Sequence, residues 1–107
     1  MDLLYTSRYY TSYQDANSRR FYLDLGHKTV EVSFCQLLSL RHKVKQLASA
    51  RHLKYMLNHS DVALLTLCDK KHLMILDTLQ VLDLKELIQR TFDMLTLDTS
   101  LKTLISN

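Results

Sequence analysis

The sequence predicts an α+β domain. Two β-hairpins join in one antiparallel sheet, and two main helices pack on one face of it, the whole being a duplicated strand-strand-helix (ββα) unit. Three observations predict this. Apolar and polar residues alternate with period two at Phe21, Leu23 and Leu25 and again at Ala63, Leu65 and Leu67, the pattern of a strand with one buried face. A helix-start signal follows each strand pair, at Ser33-Phe34-Cys35-Gln36 and at Asp77-Thr78-Leu79-Gln80; in such a box the first side chain accepts from the amide three residues on, and the glutamine reaches back. Finally, the stretch from Leu23 to Val44 has an echo. Leu23-Asp24-Leu25, Val30-Glu31-Val32-Ser33 and Gln36-Leu37-Leu38-Ser39-Leu40 return as Leu65-Thr66-Leu67, Met74-Ile75-Leu76-Asp77 and Gln80-Val81-Leu82-Asp83-Leu84. The first strands match at a shift of 42 and the helices at 44.

Taken in order, residues 1–18 form a Tyr-rich N-terminal segment holding four of the six tyrosines. Tyrosine and threonine favour strands, so Leu4 to Tyr10 reads as an added edge strand or, alternatively, as a mobile arm. The first ββα unit spans 19–50. It has strands at Arg19–Leu25 and Thr29–Val32, and its turn contains the only glycine, Gly26, where positive φ is most useful. Its helix carries an apolar stripe of Phe34, Leu37, Leu38, Val44, Leu47 and Ala48. A connector follows at 51–61, whose first part, to Asn58, fits a helix better than the extended alternative. The second unit spans 62–96, with strands at Val62–Leu67 and His72–Leu76. Its helix carries Val81, Leu82, Ile88, Phe92 and Leu95 inward. Asp98, Thr99 or Ser100 then caps a short C-terminal helix within 97–107.

At 107 residues the chain is one domain by size, enough to bury roughly two-thirds of its unfolded surface. Apolar content of 47% and charged content of 23% are ordinary for a soluble protein. One glycine and no proline argue against long linkers and low-complexity disorder. No apolar run reaches the ~18 residues of a membrane span. Met1-Asp2-Leu3-Leu4 lacks the basic-then-apolar order of a secretion signal, so a cytoplasmic location is expected. Cys35 and Cys68 do not make a disulfide framework and read as buried free thiols.

The segments Phe21-Tyr22-Leu23-Asp24-Leu25 with Val30-Glu31-Val32-Ser33, and Leu73-Met74-Ile75-Leu76 with Leu84-Lys85-Glu86-Leu87, resemble a group of small uncharacterised proteins from Bacteroidetes. These also place a short hairpin directly before a helix, twice. The resemblance covers about half of the chain and implies a bacterial cytoplasmic protein with no assigned function. Some of those proteins carry paired cysteines at metal-ligand spacing near the first strand. This chain has none there, so no metal site carries over.

Chemistry is sparse. One glycine excludes a glycine-rich phosphate loop, and no serine has a nucleophile-elbow context. Asp24 and Glu31 face each other across the first hairpin in this reading, as a surface charge cluster rather than an acid-base pair. Cys68, His72 and His27 fall short of the four ligands a zinc site needs. The chain therefore reads as a non-enzyme without a cofactor. Two surfaces stand out. The outer face of the second hairpin presents Leu64, Leu73 and Ile75, an apolar patch that something should cover. It marks these three as the interface of a homodimer or of a complex with a small protein. The runner-up is the tract from Val32 to Ser60, which has no acidic residue while Arg41, Lys43, Lys45, Arg51 and Lys54 fall inside it. On one helix Arg41, Lys45 and His52 share a side, fit to meet nucleic-acid phosphates or an acidic partner.

Overall fold

A computed structural model describes residues 1–59, 62–67 and 71–105, with side chains described as far as Leu97. The class is α+β. Strands β1 (Asp2–Thr6), β2 (Thr11–Gln14), β3 (Arg20–Asp24) and β4 (Thr29–Ser33) lead into helices α1 (Phe34–Leu47) and α2 (Ala50–His59). Strands β5 (Ala63–Leu67) and β6 (His72–Leu76) then precede helix α3 (Thr78–Ile105).

The two expected hairpins form as read, β3 with β4 and β5 with β6, but they do not share one sheet. β1 to β4 make a four-stranded antiparallel sheet in chain order, and β5–β6 is a separate two-stranded one. The N-terminal segment is the reason for the four-stranded sheet. It is neither an arm nor a single edge strand but a hairpin, and β2 takes the free edge of β3, with Thr11 opposite Asp24 and Gln14 opposite Phe21. β5 is instead contacted by a side chain of α1: the Lys43 ammonium donates to the Thr66 carbonyl at 3.1 Å and to the Thr66 hydroxyl at 3.3 Å.

Local chemistry explains the turns and helix ends. Leu25 N–H donates to the Lys28 carbonyl at 2.8 Å, closing a two-residue turn in which Gly26 has φ of 91°, a left-handed value that glycine adopts without penalty. Both capping boxes form. Ser33 Oγ accepts from Gln36 N at 3.2 Å while Gln36 Oε1 accepts from Ser33 N at 2.8 Å; Asp77 and Gln80 exchange the matching bonds at 2.8 and 2.9 Å. α1 stops at Ala48, and Ser49 Oγ accepts from His52 N at 3.3 Å to start α2, so residues 51–58 are helical. The short C-terminal helix expected within 97–107 is not separate. α3 runs unbroken for 28 residues, because neither glycine nor proline interrupts its leucine-rich sequence.

The core lies between the helices and both sheets. Phe21, Leu23, Val30 and Val32 enter it from β3 and β4, and Ala63, Leu65, Leu67, Met74 and Leu76 from β5 and β6. α1 gives Leu37, Leu40, Val44 and, just past its end, Ala48, while α2 gives Met56. α3 gives Val81, Leu84, Leu87, Ile88 and Thr91. The helix stripes are thus rotated from those expected. Phe34 and Leu82 are exposed, and Phe92 and Leu95 are half-buried, because the buried arc of each helix centres on Leu40 and Leu84 instead. Phe34 makes edge contacts with Phe92 and lies 6.3 Å from Phe21, so it caps the core's margin.

Polar contacts tie the N-terminal hairpin to α3. Ser12 and Thr91 are both buried, with their hydroxyls 2.7 Å apart, and Thr91 Oγ1 also donates to the Leu87 carbonyl at 2.6 Å. At the β1–β2 turn, Asp83 of α3 accepts from Ser7 Oγ at 2.7 Å, Arg8 N at 3.0 Å and Tyr9 N at 2.9 Å. Removing one partner of a buried hydrogen bond strands the other. Ser12→Ala or Thr91→Val should therefore each destabilise by about 1–3 kcal/mol, and the double variant by less than the sum, as a denaturant double-mutant cycle will show. Tyr10 is buried beside this turn, and burial, then the Asp83 and Asp77 charges, push its hydroxyl from the usual 10.0 to about 12. Between these values the unfolded chain releases a proton that the folded chain retains, so stability falls as pH rises through that window. Tyr10→Phe should flatten that loss in urea titrations across the same range.

Candidate functional site

The expected interface residues sit where the pattern placed them. β5 and β6 pair so that Leu64 lies opposite Ile75 and Thr66 opposite Leu73. Ala63, Leu65, Leu67, Met74 and Leu76 turn into the core. The alternate set turns out: Leu64 is 62% exposed, Leu73 55% and Ile75 62%. Val62, just before β5, is also exposed and was not singled out from the sequence. This ribbon is apolar on both faces, which strands show when both faces are covered, yet only one is covered here. Its outer face has no charged residue among those of the two strands.

The basic tract is divided between two helices, α1 and α2. α1 and α2 are distinct helices, so the shared side expected for Arg41, Lys45 and His52 is lost at the break after Ala48. The guanidinium of Arg41 stacks on Phe92 of α3, 4.2 Å from the ring centroid. Lys43 points to β5 and is engaged by Thr66. His52 is half-buried, with Nδ1 enclosed and unpartnered among the described residues. Lys45, Arg51 and Lys54 remain exposed. Arg41 and Lys45 instead meet α3 across a cleft of about 310 Å³, lined also by Val44, Lys85, Ile88, Gln89, Phe92 and Asp93. Lys85 lies 40 positions beyond Lys45 in sequence and could be found only from the helix pairing.

The weaker candidates resolve differently. Asp24 does not face Glu31: Glu31 lies opposite Tyr22 and pairs with Arg20 at 3.5 Å, while Asp24 Oδ1 accepts from Gly26 N at 2.9 Å. His72 Nδ1 lies 3.2 Å from Lys28 Nζ, and no cluster of three or more potential metal ligands occurs among the described residues. Cys68 lies outside the described residues. Cys35 is exposed rather than buried, because the inward arc of α1 passes through Leu37 and Leu40. It lines a groove of about 340 Å³ with Val32, Ser39, Lys43 and Thr66. No described helix is long and apolar enough to cross a membrane.

The chain matches no family model, no curated protein and no solved structure.

Because alkylation needs an accessible thiol, the exposed Cys35 should be alkylated by iodoacetamide in the folded protein without denaturant. Peptide mass mapping after a brief native pulse will show it; protection until denaturant is added would contradict its position.

Proposed function

We propose that this chain is a non-enzymatic protein-interaction module that self-associates as a homodimer, built on a duplicated ββα scaffold. The observation that carries the first part is the two-stranded ribbon with Leu64, Leu73 and Ile75 all more than half exposed. Fully burying each such side chain is worth about 1.5–3 kcal/mol. A second copy fits this face for two reasons. The chain carries a net charge of +3, so copies repel at a distance, and an uncharged ribbon is the kind of surface through which they meet without placing like charges in contact. A two-fold axis through an antiparallel ribbon also sets the same residues against each other from both sides, giving a closed, isologous contact.

Four juxtapositions support the duplication. At the shift of 44 read from the sequence, Arg41 corresponds to Lys85, Val44 to Ile88 and Lys45 to Gln89. All six line the same α1–α3 cleft. Lys28 and His72, also 44 apart, contact each other. Residues that lie close to their own counterparts sit beside a two-fold axis, so these placements suit two units packed as a pseudo-dimer. The buried positions agree as well, Leu37 with Val81 and Leu40 with Leu84. The nucleic-acid reading draws less support, since Lys43 is engaged by Thr66 and the cations of the tract are divided between two helices.

Light scattering coupled to size exclusion tests the module. The expected mass is about twice the 12.6 kDa of the chain, falling to the monomer value when Leu73 and Ile75 are both replaced by Glu. A wild-type monomer at high concentration would overturn self-association.

A further inference from the structure

We propose that the cleft between α1 and α3 is an anion site that binds phosphate groups, on a surface that shares no residue with the β5–β6 outer face. Three cations from two helices border it, Arg41 and Lys45 from α1 and Lys85 from α3, against one carboxylate, Asp93. That carboxylate is engaged by Arg90, 3.7 Å away. None of the three cations has an ion-pair partner among the described residues. Gathering like charges around one concavity is unfavourable, and a bound anion removes the repulsion.

The site is also partly organised. The Arg41 guanidinium lies over Phe92, 4.2 Å from the ring centre, and Phe34 packs on the same ring at 6.0 Å. Stacking uses the flat face of the guanidinium and leaves its N–H edges able to meet a phosphate in the two-pronged geometry that arginine favours. Lys45 and Lys85 add mobile ammonium groups, and Gln89 adds an amide donor. Val44 and Ile88 form an apolar floor that lowers competition from water. The volume of about 310 Å³ is at the small end of ligand pockets and suits one or a few phosphate groups.

Free polyphosphate compounds and the phosphates of a nucleic-acid strand share this chemistry. Calorimetric titration at about 50 mM salt with inorganic tripolyphosphate and with a short oligothymidylate separates them. Tripolyphosphate should bind, and Lys85→Glu and Lys45→Glu should each weaken it about tenfold or more, while Arg19→Glu, which does not line the cleft, leaves it unchanged. Lys85→Gln, a milder change, should give an intermediate loss with an unaltered melting temperature, which keeps the result readable if a charge reversal unfolds the chain. Tripolyphosphate binding alone identifies a small phosphorylated ligand. Tighter oligothymidylate binding that is also lost in Lys85→Glu identifies a strand backbone held at the same cleft. Failure of both probes to bind, or binding indifferent to Lys85 and Lys45, would overturn the site. Because the mass of the particle is read separately, loss of anion binding and loss of self-association are distinguishable.

Discussion

The buried stripe of α3 is the constraint on which the rest of the structure depends. Val81, Leu84, Leu87, Ile88 and Thr91 are all almost wholly buried, and the helix they belong to packs against β1, β2, β6, α1 and α2. A two-stranded ribbon such as β5–β6 is marginal by itself, and the N-terminal hairpin has few large apolar residues. Both acquire a partner through α3. Two polar side chains fix the angle of approach: Thr91 within the core and Asp83 at the rim, where it gathers the hydroxyl of Ser7 and two backbone amides of the first turn. The apolar stripe supplies the bulk of the burial, and these bonds select one orientation.

What the sequence reveals follows from how local the signal is. The β3–β4 and β5–β6 hairpins, the turn at Gly26 and both capping boxes depend on neighbours a few residues apart, and they form as read. The N-terminal hairpin was obscured because the inward residue of β2 is Ser12, buried at 1% exposure. A small hydroxyl in the core satisfied by Thr91 leaves no apolar alternation to detect. Cys35 was misplaced because an apolar neighbourhood in sequence is not an inward direction in space; a rotation of α1 by about one position, within the slack of a 3.6-residue period, turns it to solvent. The separation of the sheets and the α1–α3 cleft are tertiary facts. Lys43 meeting Thr66, and Lys85 joining Arg41 and Lys45, involve partners that no helical or strand period links.

The proposed duplication gives these observations a common sense. In that proposed reading Leu37 with Val81 and Leu40 with Leu84 are corresponding core positions, and the corresponding Arg41 and Lys85 line one cleft between α1 and α3. Positions that do not correspond set the units apart. Tyr22 and Glu31 put polar groups on the outer side of the first hairpin, where the second has Leu64 and Ile75. The first hairpin is extended by β1 and β2, whereas the second gains no further strand among the described residues.

The Lys43–Thr66 bond bears on the proposed association of this chain. An apolar ribbon with an open edge is a template on which extended chains add one after another, giving fibrils. At β5 an ammonium group is bonded to the main chain at Thr66, and a strand that takes up that carbonyl must displace it. Growth along the hydrogen-bonding direction is thereby penalised while the flat of the ribbon stays accessible. Contact through the flat is self-limiting, since it consumes the surface that makes it. If the proposed pairing holds, one lysine reaching across from a helix would separate association that ends at a pair from association that does not end.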